Sequence, residues 1–420
     1  MFDPATEVSA QRPIRQYLRT SGAPYLSVLL LSVVLSQFAQ YLAPTQVIFK
    51  GQPAVVLTQY ILVGLALALW LLFKPTDTWP PIFHWLLAAL ALMWLITITL
   101  SVAHSDLFNW TAFLAPVAIA MIWLKKPTLK ATFTAGDAFA WGLVAIAAAA
   151  QLLDIFGIKS LNIEGWNRLS IKLWDQFPFL FRIIDYLHRW EGPFGNVNYA
   201  GPIGAFLLVY GLFRRGPSRV IFVLAGVLIV IASDGRASLV ASATGVLTAI
   251  ILLPSIGRIT LPTWTRITLA AAFGATAVFL LITRDPTLNG RTPIWSSYLA
   301  GWTNSPIAGI GESGITTAIG GGEVPLGATH GHSLFIDPLL RYGSIGTFVV
   351  ILVVAIAVVI VLRAGMRGFV VGASIMATSI VDGLSEDLVD WRYLSIALVP
   401  IVLAAMLAAT WLVDNPRERR

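Results

Sequence analysis

The chain has 420 residues, of which 57% are hydrophobic and only 12% charged; its formal net charge is +7 and it contains no cysteine. A water-soluble fold cannot hide that much apolar surface, so the solvent must be lipid. The lack of cysteine removes disulfides, thiol chemistry and thiolate metal sites, and the positive excess reports membrane topology before any nucleic-acid partner.

A helix that spans a bilayer needs about 20 mostly apolar residues, and the chain offers about twelve such segments. They run over 25–43, 54–73, 82–103, 110–124, 136–156, 199–213, 219–233, 236–253, 267–283, 344–362, 368–385 and 393–413. The fourth and sixth are short. This pattern predicts an all-α polytopic membrane protein, a single integral membrane domain over 1–420. The N-terminal segment shows no apolar core followed by a small-residue cleavage site, so the first span is expected to stay as an anchor. Placing both termini in the cytoplasm puts most of the 28 basic residues inside, among them Arg12, Arg15, Arg19, Lys74, Lys125, Lys126, Lys130, Arg214, Arg215 and Arg219. That agrees with the positive-inside rule for short loops.

Two long segments then fall outside. The first, 157–198, mixes Trp166, Trp174, Phe177, Phe181 and Trp190 with Arg168, Lys172, Arg182 and Arg189. Part of it has helical periodicity and would lie among lipid headgroups, either as a phosphate-reaching amphipathic helix or as an ordinary aromatic belt. The second, 284–343, carries Gly290-Arg291 and Trp295, then a glycine-rich run from Gly309 to Gly331, then His330, His332 and Ser333. A run of that length and composition reads as a mobile lid.

The chemistry-bearing residues gather on this outer side. Arg236 opens the eighth span, either paired with Asp234, or snorkelling to the interface, or facing a ligand. Arg291 precedes the interfacial anchor Trp295; it is a solvated loop arginine or one half of a phosphate clamp, for which a planar guanidinium suits the oxygens better than an ammonium. His332 is read at the N-terminus of an apolar helix that ends at Gly343, where the helix dipole keeps an imidazole neutral and able to accept a proton; the plainer role is an interfacial cap. His330 is a weaker candidate, better explained as loop. Asp337 and Arg341, spaced i,i+4, are expected to pair with each other. Asp382, Glu386, Asp387 and Asp390 form either a solvated cap or a group orienting a sugar or a catalytic partner. The histidine and carboxylate spacings match no metal site, and Walker, dinucleotide and nucleophile-elbow motifs are absent from the sequence.

Four stretches carry a resemblance. Gly192-Pro193-Phe194-Gly195-Asn196-Val197-Asn198 precedes a span; Ser233-Asp234-Gly235-Arg236 begins one; Gly290-Arg291 with Ile294-Trp295 is followed by Pro306-Ile307-Ala308-Gly309-Ile310-Gly311; and His332-Ser333 is followed by Ile336 and Gly343. In that order and spacing they resemble the O-antigen ligase and O-antigen polymerase superfamily, with Ser333 where the family has asparagine and Ile336 where it has leucine. Residues 1–190 match only in hydropathy. The resemblance implies a GT-C-like glycosyltransferase in the bacterial cytoplasmic membrane, working at its outer face. It would transfer a glycan from an undecaprenyl-diphosphate carrier to an acceptor hydroxyl on a glycan or lipid, with inversion and without a metal or other cofactor. His332 would be the general base, with Arg236 and Arg291 on the diphosphate. Asn198, His330, Trp295 and Glu386 are further candidates for contacting substrate. A ligase and a polymerase need the same donor and base, and the ligase is the reading favoured. The competing class is a transporter or flippase, which would carry charges and broken helices at mid-membrane. Here most span interiors are free of charge.

Overall fold

The computed structural model describes residues 22–42, 53–74, 78–104, 110–156, 192–194, 197–233, 236–252, 291–325, 331–385, 391 and 395–415, with residues 262, 265 and 268. Among these the fold is all-helical, without strands. The order is α1 (Ala23–Leu42), α2 (Pro53–Leu72), α3 (Pro81–Ala103), α4 (Leu114–Leu124), α5 (Leu129–Ile155), α6 (Val197–Leu212) and α7 (Pro217–Ser233). It continues with α8 (Arg236–Leu252), α9 (Arg291–Trp302), α10 (Gly311–Gly320), α11 (Ile336–Gly365), α12 (Val370–Ser385) and α13 (Leu398–Asp414). Pro81–Ala103, Leu129–Leu153 and Ile336–Gly365 are long and apolar enough to cross a membrane, and the other apolar helices are shorter. The chain is thus a helical membrane protein. Most of the expected segments overlap helices over the greater part of their length; the ninth, 267–283, lies outside the described residues but for residue 268, as does nearly all of 157–198.

The fourth span differs from expectation. Residues 110–113 form a single 3₁₀ turn and α4 has only 11 residues. At 1.5 Å per residue it covers about half the hydrocarbon thickness. Its last carbonyls, which no intrahelical donor reaches, are taken by two indoles: Trp70 Nε1 donates to Met121 O (2.8 Å) and Trp79 Nε1 to Ile122 O (2.6 Å).

The same logic closes α2. The Lys125 ammonium donates to Trp70 O (2.6 Å) and Phe73 O (2.7 Å), placing a cation on a helix C-terminus, an interaction of about 0.5–1 kcal/mol. Tyr25 OH donates to Lys125 O, and Lys126 pairs with Asp414 at 3.0 Å. Asp137 pairs with Arg214 nearby. Lys125, Lys126, Arg214 and Asp414 therefore share one end of the bundle with Phe369, which stacks on Trp411.

Small residues set the helix spacing. Gly204 on α6 faces Gly226 on α7, where a Cβ at Gly226 would overlap the Leu208 backbone, and Gly211, about two turns on, packs closely on Phe222 and Val223. In lipid, where apolar side chains gain little by leaving the solvent, such close backbone contact is what holds a helix pair. The reversal between the two helices uses Gly216 at φ +64°. At the centre lies α13, in which Val399, Ile401, Leu403 to Thr410 and Leu412 are all buried.

Candidate functional site

The site is built at the far end of α12 from Phe369. There Ser238, two residues into α8 from Arg236, donates to Asp382 Oδ1 at 2.9 Å. Gly201 of α6, three residues beyond Asn198, packs against the hydroxyls of Ser233 and Ser238 with no room for a side chain. The next residue of α12, Gly383, accepts a hydrogen bond from the backbone of Leu334 at 2.6 Å. The helix that Arg236 opens, the helix that holds Asn198 and the His332 segment therefore meet at Asp382-Gly383. Arg291 enters through its neighbour: it begins α9, and one turn on Trp295 Nε1 donates to Gly331 O at 2.8 Å. His330 and Glu386 lie outside the described residues.

His332 is not where the sequence reading put it. The helix starts at Ile336, so the imidazole precedes it by four residues and lies beyond the first turn, where the dipole acts. What the structure gives instead is backbone strain. His332 has φ +45° and is the one non-glycine with positive φ among the described residues. For an L-residue this costs about 1–2 kcal/mol, and it persists only where the surroundings impose it. The surroundings do so here: Gly331 N donates to Asp337 Oδ1 (2.8 Å), Gly331 O accepts from Trp295, and Leu334 is tied to Gly383. Ser333 is buried, and its Oγ accepts from the amides of Phe335 (3.4 Å) and Ile336 (3.5 Å).

Asp337 and Arg341 pair as expected, Nε to Oδ2 at 2.6 Å, and both are buried. The second carboxylate oxygen, bonded to the backbone before His332, was not foreseeable from the i,i+4 spacing. Of the two readings of Asp382, a solvated cap or a group orienting a sugar or a catalytic partner, the solvated cap does not hold, because the residue is buried. The apolar neighbours Ile380, Val381 and Leu384 are the available signal, and they do not say which helix supplies the partner.

The glycine-rich run is not a loose lid over its described part. Residues 311–320 form α10, which ends in glycine turns whose amides return to Thr317, Ala318 and Ile319. With α9 and the start of α11 it encloses a second small core of Tyr298, Ile315, Val324 and Leu340. The segment 306–311 is a strap. Gly343 (φ 64°, ψ −164°) breaks α11, and the amides so released at Ser344 and Ile345 donate to Pro306 O (2.9 Å) and Ile307 O (3.4 Å). Ile310 N donates in turn to Leu340 O at 2.8 Å. The strap thus fixes the kink, and the kink sets where the His332 segment leaves the membrane helix.

Below Leu334 lies a mostly apolar cavity of about 40 Å³ lined by Tyr199, Phe206, Leu334, Asp382, Ile396 and Pro400. That is room for a few waters and too small for a sugar, so a large substrate would be met outside it. Among the described residues no three His, Asp or Glu side chains cluster as metal ligands would.

No protein-family model matches the chain, and no curated protein matches it.

The arrangement therefore has a strained imidazole-bearing segment, and two helices that begin with arginine, one anchored at Asp382 and the other at Gly331. A guanidinium can bind an anion and an imidazole can take up a proton.

Proposed function

We propose that this protein is a membrane glycosyltransferase that moves a glycan from an undecaprenyl-diphosphate carrier to an acceptor hydroxyl, as O-antigen ligases do. The observation that carries the reading is His332: a titratable side chain held at positive φ, tied to the helices that Arg291 and Arg236 begin. Strain of this kind concentrates at active sites.

In the proposed reaction the acceptor oxygen attacks the anomeric carbon and its proton passes to the His332 imidazole. The bond from that carbon to the diphosphate oxygen breaks, its electron pair leaving with undecaprenyl diphosphate. Attack opposite the leaving group inverts the anomeric centre. Arg236 and Arg291 offset the charge that builds on the diphosphate, a task that falls to fixed cations or to a metal. The reading places this site at the outer face of the bacterial cytoplasmic membrane, with both termini in the cytoplasm and a glycan or lipid as acceptor. Asn198, at the start of α6, would border the donor, while the Trp295 indole is engaged with Gly331.

The test is incubation of the purified protein with a lipid-linked glycan and candidate acceptors, in the presence of EDTA, with product analysis. Expected are transfer with inversion, its loss in His332→Ala with the fold retained, and lower rates in Arg236→Ala and Arg291→Ala at saturating acceptor. Full transfer by His332→Ala removes the base assignment; movement of the donor across vesicles without any product would indicate a flippase instead.

A further inference from the structure

We infer that Trp295 and Asp337 are positioning residues that hold the imidazole of His332 in its working place and set its distance from the arginine end of α9. This rests on the reading of His332 as the proton acceptor.

The geometry is a clamp on two successive peptide groups. Asp337 Oδ1 holds the Gly331 amide at 2.8 Å, fixing the peptide before Gly331. The Trp295 indole holds the Gly331 carbonyl at 2.8 Å, fixing the peptide that joins Gly331 to His332. On the other side of His332, the Leu334 amide is held by Gly383 at 2.6 Å. Rotation about His332 is therefore bounded from both directions. Gly331 itself is packed so tightly on Asp337 that a Cβ would come within 2.9 Å of its backbone. The Asp337 carboxylate is aimed in turn by Arg341 on its second oxygen. A bond from an ionised carboxylate to a backbone amide is among the stronger hydrogen bonds available, which suits a residue that must hold its neighbour in a strained state.

Released from the clamp, His332 would relax toward negative φ and the ring would swing by several ångströms. A misplacement of about 1 Å is enough to lose roughly 100-fold in rate. Trp295 stands one helical turn from Arg291, so the same indole that fixes the base also fixes the α9 start relative to it. Base and diphosphate clamp would thus be spaced by one hydrogen bond.

The test uses the full-length protein with Trp295→Phe, which removes the indole N–H and keeps an aromatic ring, and Asp337→Asn. Trp295→Phe should lower kcat about 10- to 100-fold with the donor KM within about twofold. Placed on a His332→Ala background it should lower the residual rate no further, because residues acting as one unit are not additive. Hydrogen exchange at His332 and Ser333, and carbethoxylation of His332 by diethyl pyrocarbonate read by mass spectrometry, should both quicken in the single variants. A rise in KM with unchanged kcat, an equal loss on both backgrounds, or exchange and modification at wild-type rates would each overturn the proposal. If Asp337→Asn does not fold, Trp295→Phe decides alone. If the wild-type protein transfers nothing from any prenyl-diphosphate donor, the glycosyltransferase reading fails, and exchange and modification still decide whether the clamp exists.

Discussion

Gly343→Ala is the most direct perturbation of the strap. At φ 64° and ψ −164° the residue occupies a region essentially reserved for glycine, where a side chain costs about 1–3 kcal/mol. The added Cβ would also overlap the Ile307 carbonyl and approach Gly309 N at 2.6 Å, both of them backbone atoms that cannot swing aside. Overpacking of that kind adds about 1–3 kcal/mol. Against this stand three backbone hydrogen bonds between strap and kink and a fourth from Ser344 Oγ to Pro306 O (2.7 Å), each worth about 1 kcal/mol net. The penalty is of the same size as what holds the strap, so it should come away from α11 while the main bundle stays folded. An opening made easier by about 3 kcal/mol corresponds to about a 100-fold rise in exchange. The assay is hydrogen exchange at Ile310 and Ser344 in detergent or nanodiscs, with limited proteolysis across 291–325. Gly320→Ala is the control, since nothing lies within 4 Å of its added carbon and alanine in a helix is favoured by up to about 1 kcal/mol. Wild-type exchange at Ile310 and Ser344 in Gly343→Ala would refute the reasoning.

Asp414→Ala removes the carboxylate beside Lys126, whose side chain is 2% exposed, and should cost about 2 kcal/mol in detergent unfolding; Lys126→Met with Asp414→Leu should recover most of it. Gly226→Leu should force α6 and α7 apart and lower the thermal midpoint by several degrees, whereas Gly216→Asn, in open space and at a φ that asparagine tolerates, should leave it nearly unchanged. Ser238→Ala withdraws one hydrogen bond from buried Asp382; a stability loss of about 1–3 kcal/mol is expected, with slower transfer in the product assay.

The hydropathy of the chain made most helices legible, because a run of apolar residues long enough to cross lipid has few other fates. It failed at residues 110–124, where a 3₁₀ turn and a short helix have the same apolar content as one longer helix, and the difference lies in the indoles of Trp70 and Trp79, some 40 residues away or more. Glycine density misled over 309–322. Gly309 and Gly311, at positive φ, provide the turns into α10 and its contact with α3, and Ile315 finds a core that only the folded chain supplies. For the site, residue type and order were readable and conformation was not. The spacing of Asp337 and Arg341 foretold their pair, yet the use of the other carboxylate oxygen on Gly331 depends on a chain reversal that no local pattern encodes.

The position of α13 has a consequence for biosynthesis. It is the last described helix to leave the ribosome, and it lies at the centre, against α3, α5, α11 and α12. Those helices are inserted before it, so they must either wait apart or enclose lipid where α13 will stand. Its seating expels that lipid and draws Asp414 onto Lys126 and the Leu129 amide, contacts that bridge more than 280 residues. The bundle is therefore completed from its interior. A chain stopped before 398 would display the inner faces of its earlier helices to the bilayer, as a quality-control system would meet them.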